Sequence, residues 1–204
     1  MRELWVEKYR PTSITEYVFR DDKQRNQVST WVKSGAIPHL LFSGGAGTGK
    51  TTLAKVLLNE LDVDAGDIMI INASNENNVD TMRTKIQGFA SSFPFSGEFK
   101  YVLLDEADYL SQNAQAILRN MMETYSQTCR FILTCNYPNK VIPAIHSRCQ
   151  GYHIEKLDQT EFTVRVATIL LTEEMKFVPE DLDIYIKSTY PDLRKCINMV
   201  QQYI

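Results

Sequence analysis

Eight consecutive residues, numbers 44–51, have the types and the spacing that bind phosphate. They read G-G-A-G-T-G-K-T, which fits the pattern G-x-x-x-x-G-K-[ST]. Glycines let backbone N–H groups surround an anion, and the N-terminus of a following helix adds partial positive charge. In such a loop Lys50 contacts the outer phosphates, and the hydroxyl of Thr51 ligates Mg²⁺. The pattern therefore predicts a nucleotide site.

The loop has the flanking elements that such a site requires. Residues 39–43 form a short apolar run, as expected of a buried strand, and residues 49–61 carry apolar side chains at helical spacing. A strand, a glycine loop and a helix in this order place the backbone N–H groups around the phosphates. The residues expected to contact the nucleotide here are Gly45, Ala46, Gly47, Thr48, Gly49, Lys50, Thr51 and Thr52.

Two carboxylates further along the chain fit the chemical step of ATP hydrolysis. The apolar run at residues 101–104 ends in Asp105 and Glu106. Asp105 would lie in the Mg²⁺ shell, and Glu106 would orient and deprotonate the attacking water. Alone, these residues also fit a strand that runs into an acidic turn. Because they follow a phosphate loop with one predicted strand between, we favour the hydrolytic interpretation.

Strands and helices alternate along most of the chain. We predict strands at 39–43, 68–72, 99–104, 129–135 and 151–154, and helices at 22–34, 49–61, 80–89 and 112–125. This alternation is typical of an α/β fold with a parallel sheet covered on both faces. Three further helices are predicted at 160–172, 179–188 and 192–203. We therefore expect a nucleotide-binding core at 1–157 and a small helical domain at 158–204.

Composition narrows the classes of function. The 204 residues have a net charge of -3, so any contact with nucleic acid must be local rather than carried by bulk charge. The four cysteines lack paired spacing, which favours neither a zinc site nor a disulfide framework. No apolar stretch has the length of a membrane span, and the N-terminus lacks the apolar segment of a signal peptide. We expect an intracellular protein without membrane contact.

The four residues 105–108 spell D-E-A-D, the signature of DEAD-box helicases. Helicases of that class clamp RNA between two nucleotide-binding-type domains, and the 96 residues after Asp108 contain no second α/β pattern. Thr134, Cys135 and Asn136 also differ from the Ser-Ala-Thr of those helicases. A helicase-like ATPase that remodels nucleic acid remains an alternative function.

Further segments resemble the small ATPase subunits of sliding-clamp loaders, of the replication factor C type and its phage equivalent. The segments are W-V-E-K-Y-R-P at 5–11, L-D-E-A-D at 104–108, A-Q-A-I-L-R at 114–119, M-E at 122–123, F-I-L-T-C-N-Y at 131–137, I-H-S-R-C at 145–149 and P-D-L-R-K at 191–195. The resemblance implies an AAA+ core with a five-stranded parallel sheet flanked by helices, followed by a three-helix lid. Relatives continue into a helical collar domain, before which this chain stops.

In that family, ATP and Mg²⁺ drive the opening of a sliding clamp and its loading on primer-template DNA. The resemblance implies three kinds of partner: the other subunits of a hetero-pentameric loader, the clamp and the DNA. A non-hydrolysing structural member of such a ring is a second alternative. The complete set of Lys50, Asp105 and Glu106 argues against it.

The resemblance also assigns roles to residues outside the two motifs. Tyr9, Arg10 and Pro11 are expected along the adenine. Asn136 would contact the γ-phosphate or the attacking water, and Arg194 would reach the phosphates from the lid. Each has a structural alternative: aromatic anchoring in the core for Tyr9, a strand-end turn for Asn136 and a solvated helix position for Arg194.

Arg148 is expected to act in trans, as an arginine finger in the site of the neighbouring subunit. Without the S-R-C context, a surface arginine would be the preferred interpretation. Template DNA is expected along the starts of two helices, where Arg83, Lys85 and Asn113 could hold phosphates without reading bases. A solvated polar face is the open alternative for these three residues.

Overall fold

The structure is a computed structural model that describes residues 3–76 and 79–203. Its strands are β1 (Leu40–Gly44), β2 (Ile68–Asn72), β3 (Lys100–Asp105), β4 (Cys129–Cys135) and β5 (Gln150–Ile154). Its helices are α1 (Trp5–Lys8), α2 (Asp22–Ser34), α3 (Lys50–Glu60), α4 (Val79–Ala90), α5 (Gln112–Thr124), α6 (Pro143–His146), α7 (Gln159–Thr172), α8 (Pro179–Thr189) and α9 (Leu193–Tyr203).

The five strands form one parallel sheet in the order β2-β3-β4-β1-β5. This confirms the predicted α/β class and the five-stranded parallel sheet. The register pairs Phe42 of β1 with Thr134 of β4, and Leu104 of β3 with Leu133 of β4. Since β4 lies between β1 and β3, the loops that follow these three strands meet at one edge of the sheet. The phosphate loop and the carboxylate pair are therefore brought together by topology.

Apolar side chains cover both faces of the sheet. On one face Phe42 and Tyr101 pack with residues of α2 and α3 and with Phe162 of α7 and Ile197 of α9. The other face is a separate cluster to which α4, α5 and the β3 residue Val102 contribute. Burial of these apolar faces is the main stabilising contribution to such a fold. It also fixes α3 and α9 on the side of the sheet from which they reach the phosphate loop.

Local sequence signals begin and end several of the helices within one residue of the predicted positions. The Asp21 side chain accepts a hydrogen bond from the backbone N–H of Gln24 at 2.8 Å, and Gly35 ends the same helix with φ of 67°. Ser111 caps α5 in the same way, and Asp158 caps α7. None of the helices in the described part of the chain is long and apolar enough to span a membrane.

Candidate active site

The phosphate loop connects β1 to α3, and two of its glycines approach other elements so closely that a Cβ atom would not fit. Gly44 has φ of 147°, and a Cβ atom there would lie 2.0 Å from the backbone oxygen of Ile154 on the adjacent strand. Gly47 has φ of 71°, and a Cβ atom there would lie 1.7 Å from Oδ1 of Asp192, just before α9. The loop backbone therefore passes close to β5 on one side and to the C-terminal helices on the other.

Lys50 is buried at the start of α3, with its ammonium group inside the loop. Its Nζ donates to the backbone oxygens of Gly44 at 2.9 Å and Gly45 at 2.6 Å. Burial lowers the pKa of Lys50 from its ordinary value, while nearby acidic groups that include Asp105 oppose that shift. Phosphate oxygens would be stronger acceptors than these neutral carbonyl groups, since hydrogen bonds between charged groups are the stronger ones.

Asp105 lies at the end of β3, directly beside the first turn of α3. Its Oδ1 accepts hydrogen bonds from Thr51 Oγ1 at 2.6 Å and from Thr134 Oγ1 at 2.5 Å. A hydroxyl and a carboxylate at this separation supply the hard oxygen ligands that Mg²⁺ prefers. Glu106 follows with a left-handed φ of 59° and lines the same cavity. The structure thus brings together the predicted metal pair and the predicted water-activating carboxylate.

Thr134 is a site residue that the sequence interpretation missed. It lies in β4, is 1% exposed, and accepts a hydrogen bond from the backbone N–H of Glu106 at 3.0 Å. One hydroxyl therefore bonds to both the Asp105 carboxylate and the backbone of Glu106. A polar residue within the apolar run 131–135, two positions before Asn136, is the signal of this role in the sequence.

Replacing Thr134 with valine is expected to lower ATP turnover by about 10-fold, because residues that orient metal ligands typically contribute at least that much. Valine has nearly the same shape but leaves Asp105 and the N–H group of Glu106 without their shared partner. Steady-state ATPase kinetics and a nucleotide titration would measure the effect. ATP affinity should change little, and Thr134→Ser, which keeps the hydroxyl, should retain turnover. Equal loss in both variants would contradict this role.

Asn136 lines the cavity immediately after β4. The buried carboxylate of Asp108 holds this turn, because it accepts from the backbone N–H groups of Asn136 at 3.3 Å and Tyr137 at 3.2 Å. The last letter of the D-E-A-D signature therefore has a structural function here. It positions the turn that carries Asn136.

The polar cavity at this edge of the sheet has a volume of about 250 Å³. The residues that line it are Ala46, Gly47, Gly49, Lys50, Thr51, Thr52, Asn72, Asp105, Glu106, Thr134, Cys135, Asn136 and Arg194. Arg194 reaches it from the first turn of α9. Burial raises the pKa of the Cys135 thiol to about 12, so this cavity residue is a neutral thiol near pH 7.

A second, more apolar cleft of about 70 Å³ adjoins the first and shares Gly47, Gly49, Thr52 and Arg194 with it. The three residues predicted along the base, Tyr9, Arg10 and Pro11, line this cleft. Lining residues that the sequence interpretation missed are Val6, Tyr17, Val18, Leu157, Arg165, Leu193 and Ile197. A nucleotide can therefore span both spaces, with its phosphates on the loop and its base in the apolar cleft.

The N-terminal segment forms one wall of this cleft and is bound to the C-terminal helices. Lys8 Nζ and the Tyr9 hydroxyl both donate to Glu173 Oε1 at 2.6 Å, and this hydrogen bond raises the pKa of Tyr9. Arg165 Nη2 donates to the backbone oxygen of Tyr9 at 2.7 Å. Tyr17 supports the opposite wall, where its hydroxyl lies 3.5 Å from the backbone oxygen of Thr48.

The remaining predicted residues lie away from both cavities. Arg148 lines neither of them and instead contacts Glu123 and Ala144. Arg83 and Lys85 are exposed on α4, and Asn113 is exposed in the first turn of α5. Lys85 forms an ion pair with Glu76 at 2.5 Å. The two helices share an apolar cluster, so these three residues lie on one side of the sheet.

A family comparison matches residues 40–156 to the family described as ATPase family associated with various cellular activities (AAA). Among curated proteins, the replication factor C small subunit of Methanoregula boonei is 42% identical over 97% of this chain. That of Archaeoglobus fulgidus is 41% identical over 98%. The chain spans 62% and 63% of the length of these two relatives.

Among solved structures, the Thermotoga maritima RuvB Holliday junction branch migration motor aligns with a TM-score of 0.77. It is 16% identical, and the alignment covers 95% of this chain and 64% of that chain. At this level of identity the likeness describes the fold alone. It agrees with the parallel sheet and the C-terminal helices described above.

Proposed function

This chain belongs to the ATPase family associated with various cellular activities, and from that premise we propose that it is an ATP-hydrolysing subunit of a sliding-clamp loader. One observation carries the proposal: similarity to replication factor C small subunits at 42% identity extends over 97% of the chain. The other loader subunits, the clamp and primer-template DNA are its proposed partners. We also propose that residues 1–157 form the nucleotide-binding core and residues 158–204 the lid.

The site geometry supports a hydrolytic rather than a purely structural subunit. Lys50 is buried inside the loop, where its ammonium would hold the outer phosphates. Thr51 and Asp105, 2.6 Å apart, fit Mg²⁺ as hydroxyl and carboxylate ligands. Bound Mg²⁺ would neutralise phosphate charge. Glu106 would take the proton of the attacking water. The Thr134 hydroxyl would hold this part of the chain in place, because it accepts from the backbone N–H group of Glu106.

Two residues would report the state of the γ-phosphate. Asn136 lines the cavity on a turn fixed by the buried Asp108, so its side chain can contact the phosphate or the water. Arg194 reaches the cavity from α9. Because Arg194 belongs to the proposed lid, its contact with phosphate would couple the nucleotide state to the angle between lid and core.

Arg148 is proposed to complete the site of a neighbouring subunit. It lines neither cavity of its own chain, and its guanidinium is held by Glu123 on α5. Arg83, Lys85 and Asn113 are proposed to contact DNA phosphates. They are exposed on α4 and α5, on the side of the sheet away from α9.

A clamp-retention assay tests this function. The loader is assembled from this subunit and its partner subunits, and it is mixed with ATP, the sliding clamp of the same system and nicked circular DNA. We expect ATP-dependent retention of the clamp on the DNA during gel filtration. Glu106→Gln should reduce the number of clamps loaded in repeated cycles, because hydrolysis is needed for release.

The same mixture distinguishes the alternatives. A helicase-like ATPase would separate a duplex in the presence of ATP without any clamp, and it would leave no clamp on the circular DNA. A non-hydrolysing ring member would support loading equally well with and without the Glu106→Gln change. Either result would contradict the proposed function.

A further inference from the structure

Arg148 is held by two helices at once. Its Nε donates to Glu123 Oε1 at 2.9 Å, and its Nη2 donates to the same carboxylate. Its Nη1 donates to the backbone oxygen of Ala144 at 2.7 Å and lies 3.4 Å from Ser147 Oγ. Glu123 is in the last turn of α5, and Ala144 is in α6. The guanidinium is therefore fixed in place although Arg148 follows the short α6 in a loop.

Among the described residues, these contacts leave one N–H of the Arg148 guanidinium without an acceptor, the second hydrogen of Nη2. Arginine has five N–H groups in one plane, and the Glu123 carboxylate occupies the side edge formed by Nε and Nη2. The second hydrogen of Nη2 lies on the end edge, which Nη2 shares with Nη1. A phosphate oxygen of another molecule can accept from this end edge while the carboxylate keeps the side edge.

We propose that Glu123 is a positioning residue for the trans action of Arg148, an inference that rests on the proposed function. The carboxylate holds the guanidinium on its side edge and presents the end edge to the γ-phosphate of the neighbouring subunit. A long arginine side chain has many rotamers, and ordering it before the neighbour binds reduces the entropy lost in the transition state.

The ion pair between Arg148 and Glu123 could instead oppose the trans action of Arg148, and that role predicts the opposite effect on turnover. The hydrogen bond from Arg148 lowers the pKa of Glu123, so the carboxylate is ionised near pH 7 and could compete with phosphate for the guanidinium. If it competed, its removal would raise turnover. If it positions Arg148, its removal lowers turnover, since a misplaced catalytic group loses much of its effect.

The experiment measures turnover and ATP affinity for Glu123→Ala and Glu123→Gln. Subunit concentrations are chosen at which turnover per subunit rises with concentration, so that neighbouring subunits contribute to the measured rate. We expect kcat to fall by roughly 10- to 100-fold in Glu123→Ala, with a smaller loss in Glu123→Gln, which keeps one acceptor oxygen. The Kd for ATP should not change, because Glu123 lines neither cavity. Asp183→Ala is the matched control: it removes the carboxylate of another exposed ion pair, with Lys187 at 2.5 Å, and should change neither constant.

Mixing variants separates positioning from structural damage. Glu106→Gln cannot hydrolyse ATP but offers an intact Arg148 held by Glu123, so its mixture with Glu123→Ala should regain turnover at the Glu123→Ala sites. A mixture of Glu123→Ala with Arg148→Ala should regain none, because neither subunit offers an oriented guanidinium. A fold defect in Glu123→Ala would not be rescued by a neighbour.

Three results would overturn the inference. Unchanged or raised kcat in Glu123→Ala, with Arg148→Ala inactive, would refute positioning and leave the trans assignment intact. Lowered kcat without rescue by Glu106→Gln would show that Glu123 acts only on the stability of its own subunit. Full activity of Arg148→Ala would refute the trans assignment itself, and with it the ground for this inference.

Discussion

Replacing Lys50 with alanine is expected to abolish ATP binding, with an affinity loss of about 100-fold or more. The Lys50 ammonium is buried among the loop carbonyl oxygens, where it is placed to neutralise charge on the outer phosphates. Alanine would leave those phosphates without this charge. Equilibrium titration with a fluorescent ATP analogue measures the loss, and thermal unfolding checks that the variant is folded.

Glu106→Gln is the matched variant, since it changes the chemical step without removing a phosphate contact. Glutamine keeps the size of the side chain and the backbone N–H bond to Thr134, but it cannot accept the proton of the attacking water. We expect ATP binding as in the wild type and turnover lower by roughly 10²- to 10⁴-fold. If Glu106→Gln binds ATP as poorly as Lys50→Ala, binding and the chemical step are not separable, and the assignment of Glu106 to the chemical step is wrong.

Arg148→Ala is expected to bind ATP normally and to lose turnover by roughly 10³-fold or more, the effect of removing an arginine finger. The residue lies outside both cavities of its own chain, so its removal leaves the binding site unchanged. Turnover per subunit, measured over a range of protein concentrations, reports the loss. Wild-type protein should gain turnover with concentration as neighbours associate, and the variant should not.

Much of the fold follows from local patterns along the chain. The helix at 22–34 and the strands at 68–72 and 129–135 have the predicted bounds, because caps and apolar runs define them locally. The helices α1 and α6 were not predicted. Each has four residues, which is too short for a helical period to show in the sequence.

Motif residues of the candidate site were predictable because the phosphate loop and the carboxylate pair are contiguous in sequence. Thr134 was not, because its partners Asp105 and Glu106 lie 29 and 28 residues away and only the strand order brings them together. Arg165 was missed for the same reason, since its contact with Tyr9 joins residues 156 positions apart. Such contacts depend on tertiary structure, which residue spacing alone does not show.

The D-E-A-D motif that contains Asp108 fits both a helicase signature and a structural role in a turn. The D-E-A-D tetrapeptide suggested a helicase, yet the structure uses Asp108 to hold the turn after β4. The motif alone predicts Asp105 as the metal ligand, but the turn-capping role of Asp108 shows only when the neighbouring strand β4 is known. The position of Asn136 depends on this buried carboxylate, which the sequence interpretation did not anticipate.

Mixing Lys50→Ala with Arg148→Ala tests most directly whether sites are completed by a neighbouring subunit. Lys50→Ala cannot bind ATP but still offers Arg148, whereas Arg148→Ala binds ATP but offers no finger. At concentrations that force association, two variants that are inactive alone should regain part of the wild-type turnover at the interfaces where they meet. A mixture that stays inactive while both variants associate, or full turnover by Arg148→Ala alone, would contradict the account.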